Sequence, residues 1–472
     1  MTSLDAIKAD LAHVTTITLS GSAVVLTTAQ AAAYADVLGK IVVASGSTPL
    51  ITVTDTAANI VSALASSTVG ALPVVFKVVD TGANISANLD ALSDPRVASI
   101  TDMDNQAITA TVAQMTQDAA AFAKLQYQSG ASYQITIADT AANVQAGIAT
   151  LASNWRVASI TATGGVPAFT VAQLGSSANA PYKIAGGFNV ADTAANIVVG
   201  LSTLQTFPTI QTIQSTDGNT PAVSDATFGQ YKGVLDKITG GFAISDTAAT
   251  IAYDSTALAK DAHIASLTAT DWTVTISVTR FLTYQSLFDK VTGGIALSGS
   301  AANVVTSLDA IQADASHVTS IAFTNGTPPI ISLSSTQASQ DLDALAKITS
   351  PYTLAVTDPD GSMSLTSYGA VSSVTALGGH ETLTGVSGET FVFNSNFGQA
   401  EITHFANYIS GSGHQTISLP STEFANFAAV IAGAQSSSAG TTVTAANGDS
   451  LTLDGVSASM LAAASGDFKF HT

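Results

Sequence analysis

The chain has 472 residues, of which 46% are hydrophobic and only 10% charged, so it is neither a disordered polyelectrolyte nor too short for a sizeable core. Its 33 acidic against 14 basic residues give a net charge of −19, which repels phosphate backbones and argues against nucleic-acid binding. It has no cysteine, so an extracellular form would rely on a repeat core or on bound ions rather than disulfides.

Residues 1–8, MTSLDAIK, lack a basic region followed by an apolar stretch and do not read as a Sec signal. No window has eighteen consecutive apolar residues, so no membrane insertion is expected. Residues 3–17 match residues 307–321 at eleven of fifteen positions, so the chain opens inside a repeat unit.

An internal repeat dominates the chain as far as residue 357. Asp55-Thr-Ala-Ala-Asn-Ile60 recurs at Asp139, Asp192 and Asp246, with weaker copies at Asp80 and Gly299. From residue 139 the starts are 53, 54 and 53 residues apart (192−139, 246−192, 299−246). Asp55 and Asp80 stand only 25 apart, which reads as a lost half-unit. Asp before Thr-Ala-Ala predicts a helix N-cap, because a carboxylate can accept from the free N–H groups of a first turn. A catalytic or metal-binding Asp is the weaker reading.

A second helix is predicted between these, entered by Thr27-Thr-Ala-Gln30, Thr111-Val-Ala-Gln114, Thr170-Val-Ala-Gln173 and Ser334-Ser-Thr-Gln337, a capping-box pattern. Ten residues after each Gln comes a lysine: Lys40, Lys124, Lys183 and Lys347, with Lys237 and Lys290 in the same register. A lysine there complements a helix C-terminus; a lysine row could also bind an anionic polymer. His13, His263 and His317 share another position with Arg96 and Arg156, also near a helix end. Arginine does not ligate metals, so this alternation argues against a zinc site.

Strand-like segments such as Ser159-Ile-Thr-Ala162 and Gly240-Gly-Phe-Ala-Ile244 separate the helices, and each unit reads helix, strand, strand, helix, strand. The fold class expected is α/β: over residues 1–357 a repeat solenoid in units of about 53–59 residues, with strands stacked in a continuous sheet and helices outside, followed by a β-rich domain over residues 358–472. Whether the paired strands make a hairpin or two stacked corners stays open.

The last hundred residues carry Gly378-Gly-x-x-Thr-Leu-x-Gly385, Phe391-Val-Phe393, Phe397-Gly398, Ile402-Thr-x-Phe405, Leu451-Thr-Leu-x-Gly-Val456 and Asp467-Phe-x-Phe470. In that order they resemble the C-terminal region of RTX-class type I secretion substrates of Gram-negative bacteria. The resemblance implies one-step export by the type I secretion machinery on an uncleaved C-terminal signal, to the cell surface or beyond. Calcium-binding Gly-Gly-x-Gly-x-Asp turns are missing as such, since His380, Glu381 and Glu389 stand where Gly and Asp would be expected. The calcium ligands expected are therefore Asp358 and Asp360 and, in the repeats, Asp102 and Asp104; each pair also reads as a plain turn.

The sequence has no Gly-x-Ser-x-Gly elbow, His-Glu-x-x-His helix or phosphate-binding loop, and no enzyme is expected. The function expected is a structural or adhesive extracellular protein that self-associates head-to-tail or by donating a strand. A carbohydrate- or surface-binding module, for polysaccharide or ice, is the alternative, and a hydrolase comes third.

Overall fold

The computed structural model describes residues 2–19, 24–42, 51–177, 179–357, 361–364, 368, 371–376, 379–385, 387–407, 409 and 413–472. The protein is mixed α/β, built largely from parallel-strand sheets with short helices between strands, and among the described residues no sheet closes into a barrel. Two compact units divide the chain: Met1–Pro221 with Tyr231–Thr239, and Ala222–Gln230 with Gly240–Thr472.

In the first unit the expected order is met between residues 141 and 192: helix Ala141–Ser153, strands Val157–Thr163 and Ala168–Phe169, helix Val171–Ser176, then strand Phe188–Asp192. The two consecutive strands do not form a hairpin. Val157–Thr163 pairs in parallel with Ile135–Thr140, whereas Ala168–Phe169 pairs in parallel with Phe188–Asp192. The chain turns a corner between them and joins a different sheet. Helical crossovers make this possible, because a parallel neighbour cannot be reached through a tight turn.

The short interval between Asp55 and Asp80 has a direct structural outcome. Strands Val24–Leu26, Ile51–Asp55, Val75–Asp80, Val97–Asp102 and Leu125–Tyr127 form one five-stranded parallel sheet, in which the strands ending at Asp55 and Asp80 lie side by side. Their inward side chains, among them Val53, Phe76, Val78 and Ile100, are buried. Each strand is short and carries two or three aliphatic side chains inward, so the core consists of thin layers between strand and helix.

The second unit begins in the same style, with the parallel sheets Ala222–Val223, Phe242–Asp246, Ile264–Ala269 and Val274–Ser277, Ile295–Gly299, Val318–Phe323. Strand Ile330–Ser334 then pairs with Tyr352–Thr357, and that strand with Val371–Ala376, so one sheet runs across residue 357. It continues through Thr390–Phe393 and Thr416–Pro420 to Phe468–His471, parallel throughout. A second six-stranded sheet contains Gly361–Ser364, His380–Thr384, Gln399–Thr403 and Ser450–Asp454 in parallel, closed by antiparallel Gly440–Thr444 and Ala434–Ser436.

The chain visits these two sheets alternately. Strands start at 361, 371, 380, 390 and 399, steps of 10, 9, 10 and 9 residues, so one turn takes 19 residues. Corners must stack at that period. Gly398 (φ 76°) lies against Gly379 (φ 113°), and the N–H of Gln399 donates to Gly379 O at 3.0 Å. Any side chain at Gly398 would collide with the Gly379 backbone.

Candidate functional site

The repeated aspartates are best understood from the strand they terminate. Asp192 ends strand Phe188–Asp192, and its Oδ1 accepts from Thr193 N at 2.8 Å and from Asn196 Nδ2 at 2.7 Å. The helix Ala194–Val199 is capped by Thr193, whose hydroxyl accepts from Asn196 N. The N-cap assigned to Asp by sequence therefore belongs to the following Thr; Thr81, Thr140 and Thr247 do the same, as does Ser300 where Gly299 replaces Asp. The Asp stands one residue earlier because strand and helix are joined with no intervening loop.

Its second oxygen reaches another helix. Asp192 Oδ2 accepts from Val171 N at 2.9 Å, at the first turn of helix Val171–Ser176. Asp55, Asp80, Asp139 and Asp246 accept likewise from Thr28, Ala57, Val112 and Asp225, at 2.9 to 3.0 Å. Each carboxylate thus satisfies donors at the starts of two helices, the more distant donor lying 21 to 27 residues before the Asp. At Asp55 burial works against ionisation, but the hydrogen bonds from Thr28, Asn59 and Thr56 hold the carboxyl down at about 2.

A second set of residues does the same work in turns that sequence reading passed over. Asp217 Oδ1 accepts from Ala194 N at 3.3 Å, Asp271 Oδ1 from Ala248 N at 2.8 Å and Asn325 Oδ1 from Ala301 N at 3.0 Å. The signal was present: each stands just past a strand, 23 or 24 residues after the helix start it serves.

Asp104 belongs to this set, with its Oδ1 on Gly82 N at 3.0 Å. Asp102 and Asp104, the calcium pair expected in the repeats, are brought together: Asp104 N donates to Asp102 Oδ1 at 3.1 Å. Asp102 is fully buried, its Oδ2 faces Gly82 without a hydrogen-bond partner, and burial beside Asp104 pushes its carboxyl up to about 6. Asp358 and Asp360 lie outside the described residues, as does Gly378.

The lysine row reaches across the repeat rather than along its own helix. Lys124 Nζ donates to Asp94 O at 2.7 Å, Lys183 to Val157 O at 2.5 Å, Lys237 to Pro208 O at 3.3 Å and Lys290 to Ile264 O at 2.6 Å. These bonds span 26 to 30 residues. A helix-dipole role alone would leave the ammonium in solvent; here it joins one strand-entry carbonyl to the next helix end.

At the His and Arg position Arg96, His263 and His317 pair with a nearby acid, whereas the Arg156 guanidinium lies over the Tyr133 and Trp155 rings at 4.1 and 4.5 Å. Arg96 Nη2 lies 2.8 Å from Asp94 Oδ2, His263 Nδ1 3.2 Å from Asp261 Oδ1, and His317 Nδ1 2.6 Å from Asp314 Oδ1. At the C-terminus the motif aromatics form the core: Phe391, Phe393, Phe397 and Phe405 are fully buried, with the Phe393 and Phe397 rings 4.9 Å apart. His414 Nδ1 meets buried Asp467 at 2.7 Å. Among the described residues no helix is long and apolar enough to cross a membrane. Compared with protein-family models and with curated proteins, the chain matches none.

Proposed function

We propose that this chain is an extracellular structural or adhesive protein of a Gram-negative bacterium, exported by type I secretion machinery on its C-terminal region. On this reading the repeats form an α/β solenoid built of short parallel sheets, with helices outside. What carries the reading is the double use of each repeated carboxylate, on its own helix start and on a helix start 21 to 27 residues before it, together with the lysine ties. Such ties join neighbouring coils and give an extended array mechanical continuity. Open strands support self-association: Val24–Leu26 and Phe468–His471 each stand at one end of their sheet. The two alternating sheets after residue 357, with the aromatic motif residues in their core, support the RTX-like reading of that region.

Negative-stain microscopy of the purified chain, with and without calcium, tests this reading. Filaments or sheets support it; dispersed monomers at high concentration under both conditions refute it.

One observation favours the binding alternative. Both tryptophans are exposed, Trp155 at 64% and Trp272 at 79%, and Tyr253 at 78% joins them among the large exposed side chains. Exposed aromatic faces suit stacking against sugar rings. Co-sedimentation with insoluble polysaccharides, lost in a Trp155→Ala/Trp272→Ala variant, would move the assignment to that class.

A further inference from the structure

We infer that Asp289, Asp314 and His317 form a binding site for a divalent transition-metal cation of the zinc type, separate from any calcium requirement. One ligand atom from each of the three lies within 4.8 Å of the other two. Asp289 follows helix Gln285–Phe288 and Asp314 follows helix Leu308–Ala313, both as C-cap residues. Two carboxylates thus converge where helix carbonyls already concentrate negative potential.

The internal bonding leaves the cluster incomplete. Asp314 is more than nine-tenths buried; its Oδ1 meets His317 Nδ1 at 2.6 Å, and its Oδ2 has no hydrogen-bond partner. A buried carboxylate oxygen without a donor is costly. Asp289 brings a second carboxyl to the same place, pushed up by burial and by the charge of Asp314. Within the cluster the two carboxylates outweigh the one imidazole. A doubly charged ion resolves the imbalance, and entry is open because Asp289 is exposed and His317 half-buried. Two carboxylate oxygens with one imidazole nitrogen is a donor set suited to zinc, cobalt or manganese, and unlike the all-oxygen shell of calcium.

The other repeats explain why Arg can occupy the same place. Arg156, Thr209, His263 and His317 are structurally equivalent, each offering its carbonyl to the N–H that opens the preceding strand, at Ile135, Phe188, Phe242 and Ile295. In sequence the residue before the repeat lysine is Ala123 or Tyr182 in the units whose later position holds Arg156 or Thr209. It is Asp only at 236 and 289, in the units that hold His263 and His317. The acid and the imidazole arrive together. Arginine brings its own fixed charge, whereas histidine with two acids makes a pocket for one from outside.

The test is calorimetric titration of Zn²⁺ into the full chain after chelator treatment, repeated for Asp289→Ala and His317→Arg. Both substitutions install residues that other units carry at these positions, and circular dichroism checks the fold. Wild type is expected to bind Zn²⁺, and each variant to lose one equivalent or weaken that binding at least tenfold. Millimolar Ca²⁺ is expected to leave the Zn²⁺ isotherm unchanged. If His317→Arg does not fold, exposed Asp289→Ala still decides. An absence of Zn²⁺ binding by wild type, unchanged stoichiometry and affinity in Asp289→Ala, or displacement of Zn²⁺ by equimolar Ca²⁺ would overturn the assignment.

Discussion

Asp80 Oδ2 accepts a hydrogen bond from Ala57 N at 2.9 Å, while the same carboxylate's Oδ1 takes Thr81 N at 2.8 Å and Asn84 Nδ2 at 2.7 Å. Asp80 and Ala57 are both buried, so water cannot replace either partner. Two helices therefore begin on one side chain. Folding of the later helix organises the acceptor that the earlier one needs, which couples adjacent coils more tightly than apolar stacking alone would.

Asp80→Ala should accordingly cost more than the loss of an ordinary cap. It strands Ala57 N in a dry site and frees Thr81 N and Asn84, which together predicts a loss of roughly 3 kcal/mol. Asp80→Asn retains one amide oxygen, as Asn325 does for Ala301, and should cost about half as much. Urea-unfolding midpoints check the order. An Asp80→Ala protein as stable as wild type would show that the second bond is redundant.

Lys183→Met keeps the apolar stem and removes the bond from Nζ to Val157 O at 2.5 Å. The expected loss is about 1–2 kcal/mol, with faster amide exchange concentrated in strand Val157–Thr163. If the lysine row instead served to hold an anionic polymer, the substitution would lower retention on an anionic resin and leave exchange in that strand unchanged.

The Asp register, the capping boxes and the unit order were legible because each is local: a carboxylate before Thr-Ala-Ala, or a Thr three residues before a Gln, acts within one turn. Partners 21 to 30 residues away were not. Nothing in the local pattern of Asp192 announces Val171, or in that of Lys183 announces Val157. The turn at Gly164 and Gly165 also imitates a hairpin, since both have positive φ. The parallel alternative is seen only when Asn189 N finds Pro167 O at 2.9 Å. The cluster of Asp289, Asp314 and His317 was missed for a related reason: His317 and Asp314 are neighbours in sequence, but Asp289 stands 25 residues before Asp314.

The paired glycines offer an internally controlled test. Gly240 and Gly241 both have positive φ, 82° and 79°. A methyl group at Gly240 would meet open space, whereas one at Gly241 would collide with the carbonyl oxygen of His263. Gly240→Ala should cost about 1 kcal/mol from backbone strain alone, and Gly241→Ala at least two or three times that, because the backbone of Phe242–Asp246 must shift off its neighbour. Equal thermal midpoints for the two variants would refute the close approach.

Glu381 predicts a pH dependence. It is 1% exposed in strand His380–Thr384, both carboxylate oxygens lack hydrogen-bond partners, and burial pushes its carboxyl up to about 8. Between pH 4.5 and 8 the folded state keeps this proton and the unfolded chain has lost it. The unfolded state therefore binds fewer protons, and stability falls as pH rises, by at most about 1.4 kcal/mol per pH unit. Below the unfolded value both states are protonated and the penalty vanishes. Glu381→Met, close in volume and free of charge, should match wild type at pH 4.5 and exceed it by a few kcal/mol at pH 8. Urea midpoints for both proteins across that range measure the difference directly. Because every other titrating group is common to the two, a constant gap from pH 4.5 to 8 would mean that Glu381 is ionised in the fold and has found a cation.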